Sequence, residues 1–274
     1  MLYIFAALFC EAKPLIEKYD MKPCGGYPFG GFVSADERVR ITITGVGKTN
    51  AAAAVAYVCA ECGVGPDDFV INIGTAAGGA ARHGAYLINK VIDSDTGRTY
   101  YPDMLYNTGL RESCVTTVSN VATPDITASD GNMLWEMEAS GFCDAARLFM
   151  PPHRVQLIKA VSDGGADDKE DLTEEVIVKA IEDSLEDIIR ALEVYKEIRE
   201  ETLASPVDTG AYAGEFKCSE TMRQDLNKFL IYCRNSGRDA GAILEEMRSE
   251  GLIPASDRRG GKEALNEFKR RVLQ

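Results

Sequence analysis

The chain has 274 residues, 45% of them hydrophobic, and carries 30 Lys and Arg against 43 Asp and Glu, a formal net charge of −13. That length and apolar content suffice to bury a full core in one main domain plus an appendage, and the acidic balance argues against general nucleic-acid binding. The eight cysteines (10, 24, 59, 62, 114, 143, 218 and 233) show no disulfide-framework spacing, so reduced thiols and a cytoplasmic location are expected.

Residues 2–10 are apolar but lack a basic leader, and Glu11 and Lys13 follow at once. Nine residues cannot span a bilayer and no cleavage-like site follows, so residues 2–9 read as a core strand and no membrane association is expected. Pro14 to Tyr19 begins a helix with proline in its first turn. Residues 39–44 (Val-Arg-Ile-Thr-Ile-Thr) alternate like a half-exposed strand. Gly45-Val46-Gly47-Lys48 follows, then an Ala-rich helix from Thr49 to Cys62. Residues 68–73 predict a strand broken by Gly74-Thr75-Ala76-Ala77-Gly78-Gly79. Residues 86–92 and 114–118 are further strands, Asn132 to Phe149 is helical in its later part, and Val155 to Val161 is the last core strand. Thr173 to Arg199 predicts one long helix with Ile177, Ile181, Leu185, Ile188, Leu192 and Tyr195 on a single stripe.

This alternation predicts the α/β class: a three-layer α/β/α sandwich with a central mixed, largely parallel sheet over residues 1–204. Residues 216–274 carry 12 Lys and Arg against 9 Asp and Glu, leaving 18 against 34 for the first 215 residues. The change of sign after a Pro/Gly-containing stretch marks a boundary, and apolar spacings in the tail predict a helical C-terminal extension docked on the acidic body.

Several motifs have plain readings. Gly45 to Asn50 lacks the full phosphate-loop spacing, and Gly74 to Gly79 lacks the dinucleotide register. Small residues at Gly74 to Gly79 would let backbone N–H groups approach a ligand. Cys59 and Cys62 have no second pair of metal ligands nearby, and the two histidines, His83 and His153, suggest surface or turn positions. Glu136 reads equally well as a solvated acid at a helix start. Glu11, Glu138 and Asp163 are different: each is an acid where an apolar run meets a loop, and acids there are costly to desolvate without a task.

Four motifs occur in order over about residues 2–200: Ala7-Leu8-Phe9-Cys10-Glu11, Thr44-Gly45-Val46-Gly47-Lys48, Asn72 to Gly79, and Glu136-Met137-Glu138-Ala139 with Val161-Ser162-Asp163. Together they resemble the nucleoside phosphorylase superfamily, and within it the 5′-methylthioadenosine/S-adenosylhomocysteine nucleosidases. The resemblance implies that Glu11 activates water and Asp163 protonates the purine, with Ser162 orienting it. It implies that Glu138 holds the ribose hydroxyls, Met137 packs under the sugar, Thr75 and Ala76 line the cleft, and Val46 lies near the sugar's substituent. It implies no metal and no organic cofactor. The expected partner is a small-molecule purine nucleoside, with methylthioadenosine and S-adenosylhomocysteine among the candidates, and a homo-oligomer is expected.

Breaking an N-glycosidic bond leaves positive charge on the sugar and negative charge on the base. An acid serves the leaving group, and a carboxylate serves the cation and the water. A phosphate-dependent purine nucleoside phosphorylase is the alternative, as is a nucleoside-binding regulatory protein without turnover. Asn72 stands where hexameric phosphorylases carry an arginine, which favours water over phosphate. The chain departs from the nucleosidases in its short 93–136 segment, where Tyr100, Tyr101, Tyr106, Val121 or Pro124 would have to clamp the base. It departs also in Lys159, which replaces an arginine, and in the C-terminal extension.

Overall fold

Leu2, Ile4 and Ala6 face one side of the first strand and Tyr3 and Phe5 the other, and all five are buried. A strand apolar on both faces belongs in the interior of a covered sheet. In this computed structural model, which describes residues 1–26, 28–78, 83–120, 133–163, 173–204, 209–236 and 238–273, that strand is β1 (Leu2–Ala6), flanked by β4 (Val39–Ile43) and β5 (Phe69–Ala77), both parallel to it. Beyond β4 lie β3 (Gly31–Val33) and β2 (Lys22–Cys24), both antiparallel.

On its other side the sheet closes on itself. β5 pairs in parallel with β10 (Val155–Asp163), β10 pairs antiparallel with β6 (Ala85–Asp93), and β6 pairs in parallel with β8 (Arg111–Thr117), as does β8 with β9 (Met133–Glu136). β9 returns to β5 through Ala77 and Trp135, and β7 (Thr99–Tyr100) pairs with β6. Five of the ten pairings among the described residues are parallel, so the sheet is evenly mixed, where the sequence predicts a largely parallel one. The ring places both the end of β10 and the end of β9 against Ala77.

Around the sheet the buried apolar residues fall into two clusters. One unites Phe5, Val55, Leu134, Phe142 and Leu157 with helices α2 (Lys48–Glu61) and α3 (Ala139–Phe149). The other unites Ile4, Leu15, Ile71, Ile158, Ile181 and Tyr195 with α1 (Phe9–Lys18), α4 (Glu174–Asp183) and α5 (Leu185–Ala204).

Three predicted elements change. The first strand ends at Ala6 and α1 begins at Phe9, so Glu11 stands in the first turn of a helix rather than at a strand end, and Pro14 lies inside that helix. The long helix is two, with Ser184 at the break; Ile177, Ile181, Ile188, Leu192 and Tyr195 of its stripe are buried all the same. The strand predicted to stop at Ile73 runs on through Gly74 to Ala77, because β10 continues to pair with it.

The chain divides into two units, Met1–Leu203 and Ala204–Gln274. The second holds α6 (Thr209–Ala213), α7 (Glu220–Ser236), α8 (Ala240–Ser249) and α9 (Arg258–Val272). Leu226, Leu230 and Cys233 are covered within the unit by Phe216, Leu244, Met247, Leu265 and Phe268, with Phe229 partly buried against the same core. No helix among the described residues is long and apolar enough to cross a membrane.

The α2–α3 contact depends on one missing side chain. A Cβ on Gly141 would lie 2.0 Å from the carbonyl oxygen of Lys48, so neither backbone can yield without separating the helices. Gly141→Ala is expected to cost about 3 kcal/mol, the upper end for overpacking, measured as a lower denaturation midpoint in urea.

Candidate active site

Glu11 reaches the site because its helix starts late enough to put it in the first turn. There its Oε2 accepts the N–H groups of Ala7 and Leu8, both at 3.1 Å, donors that a helix N-terminus leaves unpaired. Its Oε1 accepts the backbone N–H of Thr75 at 2.7 Å and the Thr75 hydroxyl at 2.9 Å. The edge of β5 explains the second pair. β1 pairs with that strand only as far as Asn72, and β9 joins it at Ala77. Glu11 therefore caps an edge amide between them. Gly74 makes the approach possible, since a Cβ there would stand 2.9 Å from Glu11 Oε1.

Glu138 precedes α3 and is buried. Its Oε1 accepts the Gly47 N–H at 2.8 Å, from the turn between β4 and α2. Burial pushes its carboxyl up to about 7, against the pull of the Lys159 ammonium and the Gly47 N–H, with Glu136 and Glu11 adding to the push. Two residues earlier, Glu136 is buried and fully occupied. It accepts the Thr117 hydroxyl at 2.6 Å, the N–H groups of Glu138 at 2.9 Å and Ala139 at 2.7 Å, and the Lys159 ammonium at 3.0 Å. This overturns the reading of Glu136 as a solvated acid at a helix start.

Lys159 lies on β10 with its side chain 1% exposed. Burial alone would lower its pKa, but Glu136, Glu138 and Glu11 hold it above the ordinary lysine range. Sequence reading notes this lysine only as a replacement. Its signal was already present: a lysine in the unbroken apolar run Val155 to Val161 demands a buried acid.

The other expected residues distribute unevenly. Met137 and Ser162 are half-buried, and Val46 is 44% exposed in the turn next to Gly47. Ala76 is buried in the cluster with α2 and α3. Asp163 closes β10, and its backbone pairs with Ala77 after an irregularity at Ser162; its side chain lies outside the described residues. Of the tyrosines considered as base clamps, Tyr106 is committed to Phe69 and Tyr195, with ring centroids at 5.6 and 6.1 Å. Tyr101 is exposed and Tyr100 half-buried, while Val121 and Pro124 lie outside the described residues. His83 is exposed and His153 half-buried, and the eight cysteines are free thiols. Among the described residues no group of His, Cys, Asp or Glu is placed to hold a metal ion.

The fold is similar to that of solved 5′-methylthioadenosine/S-adenosylhomocysteine nucleosidases. One such nucleosidase, from Colwellia psychrerythraea 34H in complex with adenine, superposes with a TM-score of 0.59 at 21% identity, over 71% of this chain and 95% of its own. Another, from Streptococcus pneumoniae with a transition-state inhibitor, gives 0.60 at 19% identity over 70% and 98%. A futalosine hydrolase mutant from Helicobacter pylori strain 26695 gives 0.59 at 10% identity over 70% and 98%. No protein-family model and no curated protein matches the sequence.

The raised pKa of Glu138 has a consequence for stability. The folded protein holds a proton there that the unfolded chain releases near 4.5. Between pH 4.5 and about 7 the native state therefore binds more protons, and its stability falls as pH rises through that window. Glu138→Gln, which keeps an oxygen for the Gly47 N–H, is expected to remove this slope. Thermal melts should show the variant gaining on the wild type from pH 5 to pH 8.

Proposed function

We propose that the chain is a purine nucleosidase that hydrolyses the N-glycosidic bond of a purine nucleoside to free base and sugar. Residues 1–204 act as the nucleosidase-like domain and 216–274 as a helical extension. One observation carries the reading: two buried carboxylates from distant parts of the chain, Glu11 and Glu138, share the field of one buried ammonium at the strand ends of a nucleosidase fold. The free thiols support a cytoplasmic setting.

In this reading Glu138 accepts the ribose hydroxyls and steadies the cationic sugar, and Met137 beside it packs under the ring. Glu11 takes the proton of the attacking water. Of its four donors only the Thr75 hydroxyl can rotate, and turned aside it frees Oε1 to accept from water. Asp163, oriented by Ser162, gives a proton to the departing purine, so that the base leaves neutral. Thr75 and the backbone at Ala76 line the cleft, and Val46 meets the 5′ substituent.

Water rather than phosphate is supported by Asn72. It is buried, and its Nδ2 donates to the Phe5 carbonyl at 3.1 Å, so that position offers a phosphate dianion no cation.

The test is base release from a panel of purine nucleosides, methylthioadenosine included, with and without phosphate. Free sugar in phosphate-free buffer is the expected product; ribose 1-phosphate would overturn the reading. Glu11→Gln and Asp163→Asn are each expected to lower kcat on the order of 10²-fold or more, with nucleoside binding retained.

A further inference from the structure

The hydrogen bond from Gly47 to Glu138 joins two loops that have no ladder between them, and a separate buried acid spans the residues beside it. Asp93, the last residue of β6, is buried. Its Oδ2 lies 3.1 Å from the ammonium of Lys48, the residue after Gly47, and accepts the hydroxyl of Ser140, two residues after Glu138, at 2.8 Å. Its Oδ1 accepts the N–H groups of Asp95 at 2.9 Å and Thr96 at 3.0 Å, which fixes the carboxyl in the turn after β6. Asp95 adds a second acid to Lys48 at 2.5 Å. Burial works against ionisation of Asp93, but the Ser140 hydroxyl, the Thr96 N–H and the Lys48 ammonium hold its carboxyl down at about 2. The two loops also meet directly, where Gly141 lets α3 lie against the Lys48 carbonyl.

We propose that Asp93 and Lys48 are positioning residues for the site: they clasp the turn after β4 to the start of α3 and so keep the Gly47 N–H aimed at Glu138. Neither touches the reacting groups in the functional reading above. Their effect runs through a single backbone donor, and that donor favours the ionised, hydroxyl-accepting form of Glu138. The other charged groups facing Glu138 are Lys159 on β10, Glu136 on β9 and Glu11 on α1; the clasp leaves all three in place. Gly47 itself has φ +101°, a conformation that glycine reaches readily but does not prefer over others, so the turn needs an external hold.

The proposal rests on the functional reading only for its kinetic consequence, and the experiment separates the two. Amide hydrogen exchange at Gly47, followed by NMR on the full chain, reads the clasp without any substrate. Asp93→Asn and Lys48→Met are each expected to speed that exchange on the order of 10-fold or more, while Lys48→Arg, which keeps the charge, stays near the wild-type rate. In the same variants the loss of activity should fall mainly on KM for nucleosides, and the acid limb of kcat/KM should move to higher pH as Glu138 loses its donor. Should Asp93→Asn fail to fold, Ser140→Ala removes one side of the clasp and is read in the same way. Unchanged Gly47 exchange in folded variants overturns the proposal. Faster exchange in a protein whose wild type releases no base upholds the clasp and removes the nucleosidase reading instead.

Discussion

One ammonium among three carboxylates governs this site. Lys159 is paired directly with Glu136 and lies in the field of Glu138 and Glu11, so the cluster holds more acid than base inside the protein. A buried pair of opposite charges roughly balances its own desolvation when fully hydrogen-bonded. Glu136 meets that condition, with four donors. The surplus falls on the other two acids, and the structure treats them differently. Among the described residues Glu11 is given four donors of its own, whereas Glu138 is given one backbone N–H and has a raised affinity for protons. An acid left partly unsatisfied in a dry place is one that a ligand's hydroxyls can complete.

Topology delivers these groups. The parallel strands β1, β4, β5 and β10 point their C-terminal ends the same way. The loop after β1 leads to Glu11, the turn after β4 supplies Gly47, and Thr75 stands near the end of β5. Ring closure then brings β9, running opposite to β5, against Ala77, so that Met137 and Glu138 arrive beside the end of β10. Without the closure, Glu136 would have no route to Lys159.

Much of this was legible in the residues. Runs apolar on both faces marked β1, β5 and β10, and the acids where such runs meet loops marked Glu11 and Glu138. What escaped reading had physical causes. Gly74 to Ala77 reads as a strand break because small residues are poor strand formers, yet pairing with β10 carries the strand through them. Glu11 was placed at a strand end because the helix that holds it begins in apolar residues, Phe9 and Cys10, with no polar cap ahead; its own carboxylate does the capping. The clasp at Asp93 has no periodicity or spacing that sequence could reveal, since it joins residues 48, 93 and 140. In the C-terminal unit the apolar positions 226, 230 and 233 lie on α7, and their core is completed by Phe216 and by residues of α8 and α9.

Glu11 fills two offices at once. Its carboxylate closes the first turn of α1 and covers the stretch of β5 edge that no strand reaches, so removing it exposes three backbone amides together. Folding alone is therefore reason for the chain to retain this acid, whatever it acts upon. The exposed turn at Val46, proposed to meet the substrate's 5′ substituent, carries no such duty. In descendants of this fold, selectivity is free to drift at the rim while the carboxylate at its floor stays where the architecture needs it.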